Sequence, residues 1–289
     1  MKTKIQSDKH IRADLGLLLL TMIWGTSFSL VKTALQDVSP ILFLAIRFWI
    51  GSLILIAIFL FQKRFFISRD VLVKGTILGF VMFLGMGLQT VGLKYTTASK
   101  SGFITGLAVI FVPFIVIFVE KVFPKKMTML GVLLATIGIY ALTSPRGDAF
   151  NVGDLLTLAC AFSFSFQIVF VEMFGKKCDT ISLAIVMLTM TAVFSSVGAL
   201  FLEKPEIAWT GRMIWPLLIT ATLSTALGFY YQLYWQPKTS ATAAAVIYTM
   251  EPVFAAIFAM TFLGDRLTVL GWVGACLIIG GTILTELRK

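Results

Sequence analysis

Histidine and cysteine are nearly missing from this 289-residue chain, which has one His and three Cys. His10 stands in a basic tail, and Cys160, Cys178 and Cys276 are too widely spaced to pair as metal ligands, so no metal site is expected. Charge is scarce too: Asp, Glu, Lys and Arg make up 13% of the residues, against about a quarter in a soluble domain. With 58% hydrophobic residues and a mean hydropathy of +0.94, so little charge cannot cover so much apolar side chain in water. A glycine-rich phosphate loop is also missing. Gly264-Asp265-Arg266 lacks that pattern, which excludes direct coupling to ATP.

What the chain has instead is apolar runs of about 20 residues, the length that crosses a ~30 Å hydrocarbon core. They fall at 13–33, 40–61, 72–92, 99–120, 127–143, 153–173, 180–201, 213–235, 240–262 and 269–287. The connections between them are too short for a soluble domain. The first run follows Lys2, Lys4, Lys9 and Arg12 as a signal peptide would, yet no small-residue cleavage site follows, and it continues through Trp24-Gly25-Thr26 to Val31. It reads as the first span.

The formal net charge of +10 is a topology signal rather than a nucleic-acid footprint. With ten spans the termini share one side. That side holds 16 Lys and Arg, the other holds 7, and Arg47 stands inside a span. The positive-inside rule places the 16, and both termini, in the cytoplasm. Anionic lipid is a secondary partner of this basic face, and no nucleic acid is expected.

The sequence repeats itself at a period near 139. Leu44-Ala45-Ile46-Arg47 matches Leu183-Ala184-Ile185-Val186, Pro113 matches Pro252, and Thr128-Met129-Leu130-Gly131 matches Thr268-Val269-Leu270-Gly271 at an offset one larger. Ala98-Ser99 against Ala241-Thr242 requires a further small gap. Five spans per half is an odd number, so the second half enters the membrane from the opposite side. The expected fold is an all-α integral membrane protein of ten transmembrane helices, built as two inverted-topology five-helix repeats. Their expected bounds are 1–145, with a short basic cytoplasmic tail over 1–12, and 146–289, linked at Arg146-Gly147-Asp148. In such folds the substrate site lies between the halves near the midplane.

These residues resemble the drug/metabolite transporter superfamily, in its ten-span EamA-type branch, over essentially the whole chain. The resemblance rests on Ile23-Trp24-Gly25-Thr26-Ser27-Phe28, Leu44-Ala45-Ile46-Arg47-Phe48, Lys94-Tyr95-Thr96-Thr97-Ala98-Ser99-Lys100 and Phe111-Val112-Pro113. In the second half it rests on Ala226-Leu227-Gly228-Phe229, Thr239-Ser240-Ala241-Thr242, Glu251-Pro252-Val253-Phe254-Ala255-Ala256 and Leu263-Gly264-Asp265-Arg266-Leu267-Thr268. Asp265 stands where the family usually has Glu. The resemblance implies a carrier of the cytoplasmic membrane, commonly an exporter of amino acids or related metabolites, with a central cavity and no cofactor.

Glu251 is the most informative single position. It lies about 11 residues, or ~16 Å, into the ninth span, where an ionisable group is costly unless paired, hydrated or neutral. Two readings stand: a contact for a substrate ammonium or a coupling proton, or a brace for the kink at Pro252. Its repeat counterpart is Val112 or Ala108, depending on the gap, and neither is acidic. Arg47, about seven residues into span two, is expected to snorkel to the headgroups. The sharper reading makes it a charge partner for Glu251 or for a substrate carboxylate. Pro113 and Pro252 are expected to kink spans four and nine, and Gly102 with Gly106 to pack helices closely. Trp24, Gln89, Gln167, Tyr231, Tyr248 and Glu251 are the expected transport pathway, because a buried polar group without a partner is costly. The Phe162, Phe166, Phe170 stripe reads as lipid contact or core, and Trp209, Tyr234 and Trp235 as interfacial anchors.

A secondary carrier of small organic metabolites therefore leads. An intramembrane enzyme lacks an acid pair, an intramembrane His or a Cys pair, and a non-transporting scaffold leaves the inverted repeat without a purpose. A homodimer is compatible with the sequence.

Overall fold

The computed structural model describes residues 2–61, 67–143, 150–258, 260 and 268–286. The Arg146-Gly147-Asp148 link, Lys63, Arg64, the motif from Leu263 to Leu267, Arg288 and Lys289 lie outside the described residues. Eight helices are long and apolar enough to cross a membrane, and two are shorter. In chain order they are α1 (Arg12–Ala34), α2 (Pro40–Leu60), α3 (Arg69–Tyr95), α4 (Lys100–Glu120), α5 (Lys126–Leu142), α6 (Val152–Gly175), α7 (Thr180–Leu202), α8 (Gly211–Lys238), α9 (Ala241–Phe258) and α10 (Val269–Thr285). Among the described residues the β structure is a single bridge, Val38 to Ile207.

Helix neighbours reveal the symmetry. The pairs α3–α6 and α1–α8, α3–α7 and α2–α8, and α4–α6 and α1–α9 are in contact, as are α2–α7, α4–α9 and α5–α10. Exchanging α1–α5 with α6–α10 maps this set onto itself. The α5–α10 pair shows why. A Cβ on Gly131 would lie 2.8 Å from the Gly281 carbonyl oxygen, and one on Gly138 would lie 2.7 Å from that of Gly274. The backbones touch, which only glycine allows. Gly131 and Gly274 stand 143 positions apart, as do Gly138 and Gly281, so the crossing repeats itself when the halves are swapped.

Four helices are interrupted, and the interruptions set the site. The helix that carries α1 starts ahead of the span, at Lys2, stops at Gly25 and resumes over Ser27–Ala34. Thr26 Oγ1 donates to the Ile23 carbonyl at 2.8 Å and Ser27 Oγ to that of Trp24 at 2.7 Å, local bonds that compete with the helical ladder. Helix α4 is divided at Leu107, between Ala98–Gly106 and Ala108–Glu120. Helix α9 is divided between Ala241–Tyr248 and Glu251–Phe258, with Thr249 and Met250 forming tighter bonds to Val246 and Ile247. In α8, Thr220–Leu227 forms a π-helical segment one turn after Pro216, which removes a backbone donor.

The caps of α4 and α9 set the register of their breaks. Thr97 and Ser240, 143 positions apart, cap the two helices with their side-chain oxygens. Counted from those caps, the breaks fall at the same depth, and Ala108 is the counterpart of Glu251. Pro252 directly follows its break and removes the donor for the Tyr248 carbonyl. Pro113 instead lies inside the continuous segment Ala108–Glu120, six residues past the break. The two prolines are not structural equivalents, and the one in α4 does not locate its interruption.

Candidate functional site: a cavity between the halves

Where the breaks of α1, α4 and α9 meet α2, α3, α6 and α8, they enclose a cavity of about 810 Å³, its open mouth included. Five of the six expected pathway residues line it: Trp24, Gln89, Gln167, Tyr248 and Glu251. Arg47 lines it as well. Tyr231 is not among the lining residues, and its ring meets Tyr230 edge-on with centroids 6.2 Å apart. On α8 the lining residues are Phe229 and Gln232, one turn apart, and Tyr231 falls off that face.

The wall is amphipathic. Trp24 packs its ring 5.4 Å from Phe229 and 5.6 Å from Tyr248, and donates from Nε1 to the Ser224 carbonyl at 3.0 Å. Met82, Met86 and Phe164 complete the apolar side. Phe164 is the α6 phenylalanine that lines the cavity. Phe162, Phe166 and Phe170 are not among its lining residues; Phe162 meets Phe166 edge-on, Phe166 meets Phe170 at a tilt, and Phe162 is exposed on the outer surface.

A buried amide ladder forms the polar side towards the termini. Gln167 Nε2 donates to Gln232 Oε1 at 2.9 Å, Gln232 Nε2 to Gln236 Oε1 at 3.0 Å, and Gln236 Nε2 to the Ile168 carbonyl at 2.6 Å. Tyr248 donates its hydroxyl to Gln236 Oε1 at 2.9 Å. The repeat has a sparser mate at the opposite end, where Gln89 Nε2 donates to Thr105 Oγ1 at 3.1 Å. Gln89 with Thr105 and Gln232 with Tyr248 share the 143-residue offset of the caps. That offset was the signal able to single out Gln232 and Thr105, neither of which was among the expected pathway residues.

Access is one-sided. Gly102, Thr105 and Gly106, in the first turns of α4, are partly exposed, and so are Tyr248, Glu251 and Pro252 below them. Gly102 faces open space rather than a packed helix, since a Cβ there would meet only Phe28 at 4.0 Å. Towards the termini, Ala245, Gln167 and Gln232 are buried, and Leu17, Leu20, Ala244 and Ile247 pack as an apolar plug. The cavity therefore opens at the end of the bundle away from the termini. At that end Lys100 Nζ lies 2.6 Å from an Asp154 oxygen, and Thr96 Oγ1 donates to the same carboxylate at 2.7 Å. Lys32 donates to the Leu93 and Thr96 carbonyls, tying α1 to the end of α3.

Two charges stand at the cavity wall. The Glu251 side chain lines the cavity and makes no hydrogen bond or ion pair with any described residue. Arg47 is 2% exposed, so it does not snorkel. Position explains the difference: Arg47 faces α8 at the bundle interior, where Thr225 Oγ1 accepts from its Nε at 2.7 Å. The two charges share the cavity without an ion pair between them. Trp209 is exposed at the chain's outer surface, and Lys238 sits over the rings of Tyr234 and Trp235 at 3.2 and 4.2 Å.

Comparison with known proteins decides the family. The profile of the EamA-like transporter family matches residues 11–144 and again 151–287. The chain belongs to this family. It is 37% identical over 287 residues to an uncharacterized transporter of Archaeoglobus fulgidus, covering 97% of this chain and 87% of that protein. The uncharacterized transporter YoaV of Bacillus subtilis is 27% identical over 95% of this chain and 96% of its own length. The threonine/homoserine exporter RhtA of Salmonella typhimurium is 27% identical over 85% of this chain and 82% of its own. A crystal structure with a TM-score of 0.79 and 20% identity, covering 97% of both chains, shares the fold. This EamA-family protein is thus a multi-pass membrane transporter of the drug/metabolite transporter superfamily with two EamA repeats, and not an enzyme.

Proposed function

We propose that this transporter moves amino acids or closely related metabolites outward across the cytoplasmic membrane by alternating access, with both termini in the cytoplasm. The repeats, 1–145 and 146–289, are the two moving units, and the structure corresponds to the state open away from the cytoplasm. Trp24, Gln89, Gln167, Tyr248, Glu251 and Arg47 form the substrate path.

The observation that carries this reading is the unpartnered Glu251 carboxylate on the cavity wall. A carboxylate near the middle of a membrane protein without a partner is retained at a free-energy cost, and its common use is to meet a solute cation or a proton. The apolar surfaces of Trp24, Met82, Met86 and Phe229 accommodate the carbon skeleton. Export is supported by the relative named a threonine/homoserine exporter, and cytoplasmic termini by the 16 to 7 distribution of Lys and Arg. Without a phosphate-binding loop, the solute gradient, exchange or the proton gradient supplies the driving force.

The test is counterflow in proteoliposomes with purified protein and a metabolite panel. Labelled solute should accumulate transiently against excess unlabelled solute inside, and Glu251→Gln should suppress that overshoot and flatten its pH response. A panel of amino acids and related compounds that gives no overshoot contradicts the reading.

A further inference from the structure

Arg47 is a buried cation that the fold has prepared for an anion it does not itself supply. The residue is 2% exposed, and no described carboxylate pairs with it. One of its three nitrogens is committed: Nε donates to Thr225 Oγ1 at 2.7 Å. The two terminal nitrogens have no hydrogen-bond partner among the described residues. They are not among the sealed, unsatisfied buried atoms either, and Arg47 lines the cavity. Their open side is therefore the cavity.

The surroundings fix the geometry of this fork. Thr225 belongs to the π-helical segment Thr220–Leu227 of α8, an irregularity of the kind that recurs where a helix re-aims a side chain for function. On the other side, Gly51 lets α2 approach closely: a Cβ there would fall 2.7 Å from Thr225 Cγ2. Phe48 lies beneath the guanidinium, with Cζ 5.9 Å from the ring centroid. A planar cation held through Nε, with its two terminal nitrogens facing a cavity, matches a carboxylate bound through both oxygens. Val186, the repeat counterpart of Arg47, shows that the scaffold does not need a cation at this position.

We propose that Arg47, positioned by Thr225, is the carboxylate subsite of the cavity, and that Glu251 meets the amino end of the same solute, so the transporter selects solutes by their carboxylate. This rests on the carrier reading above and adds a recognition rule to it. The rule makes lysine a poor substitute for Arg47, because an ammonium is a point charge without a fork.

The measurement is inhibition of counterflow by matched sets: L-leucine, leucinamide and isopentylamine, and L-threonine with threoninamide. In the unmodified protein the acid should compete about 10- to 100-fold better than its amide, the size of one charge-assisted bidentate contact. Arg47→Gln should bring the two within about threefold, Arg47→Lys should retain part of the preference, and Thr225→Val should reduce it. Thr225→Val keeps the cation in place, so it supplies the answer if Arg47→Gln fails to insert. Repeating the unmodified case with sulfate in place of chloride should leave the ratio unchanged. A ratio lost with chloride would assign the fork to an inorganic anion and overturn the proposal. So would counterflow that runs normally with an acid-to-amide preference untouched by Arg47→Gln and Thr225→Val. Failure of counterflow with every panel member contradicts the carrier reading instead.

Discussion

Helices α4 and α9 follow one backbone plan, with a side-chain cap at Thr97 or Ser240, a short helix and a break at matching depth, and they part at the first residue after it. There α4 has Ala108 and α9 has Glu251, and both line the cavity. The two ends of the bundle differ in the same way. Towards the termini the cavity is closed by four connected polar side chains and an apolar plug, whereas towards the open end its wall carries the Gln89–Thr105 bond, with Lys100, Asp154 and Lys32 tied together at the rim. The two repeats share a backbone plan, and the side chains placed on it differ.

The strongest way to break the comparison is to remove its one acidic member. Glu251→Gln should reduce counterflow about 10- to 100-fold, the range expected for a charged contact. Adding Ala108→Glu to Glu251→Gln should not restore it, because the carboxylate then faces the cavity from the other half. Recovery to the unmodified rate would mean that the side of the seam is irrelevant.

The ends can be compared through their lysines. Both carboxylates are buried, but Lys100 reaches Asp154 from a largely buried position, with 15% of its side chain exposed, whereas Lys176 reaches Glu172 with half of its side chain exposed. Lys100→Met leaves a buried carboxylate without its cation and should cost about 3–5 kcal/mol in thermal or denaturant unfolding in detergent. Lys176→Met should cost less, about 1 kcal/mol, because Lys176 is half exposed and Glu172, though buried, still accepts from the Ala241 amide. Equal costs would remove the distinction between the ends.

A smaller effect separates the amide pairs. Gln232→Leu leaves Gln167 and Gln236 without their buried partner and should destabilise by about 1–3 kcal/mol, while Gln89→Leu, which breaks one partly exposed bond, should cost about 1 kcal/mol or less. Thermal melts of the two variants side by side test this. Smallest of all, Pro113→Ala should leave flux within about twofold of normal, since α4 breaks elsewhere, and Pro252→Ala should lower it more by returning a donor to the Tyr248 carbonyl.

The ten spans were legible because hydrocarbon thickness imposes length and composition directly. The run at 40–61 became Pro40–Leu60, and that at 180–201 became Thr180–Leu202. The breaks were not legible. They depend on hydroxyls such as Thr26, Ser27 and Thr249 turning onto local carbonyls, which a hydropathy profile does not register. Glu251 stood out because charge is rare in a span. The burial of Arg47 was not legible, because distance along the helix gives depth but not the direction a side chain faces. Tyr231 and Gln232 are adjacent in sequence, and only the rotation of α8 decides which of them meets the cavity.

The most direct test uses the mirror position itself. In a background with Cys160, Cys178 and Cys276 replaced by serine, Ala108→Cys places a thiol on the cavity wall without touching Glu251 or Arg47. A membrane-impermeant thiol reagent should react with it from the side opposite the termini, and saturating solute that supports counterflow should slow that reaction about tenfold or more. Modification only from the terminal side, or at an unchanged rate under saturating solute, contradicts a binding cavity between the two repeats.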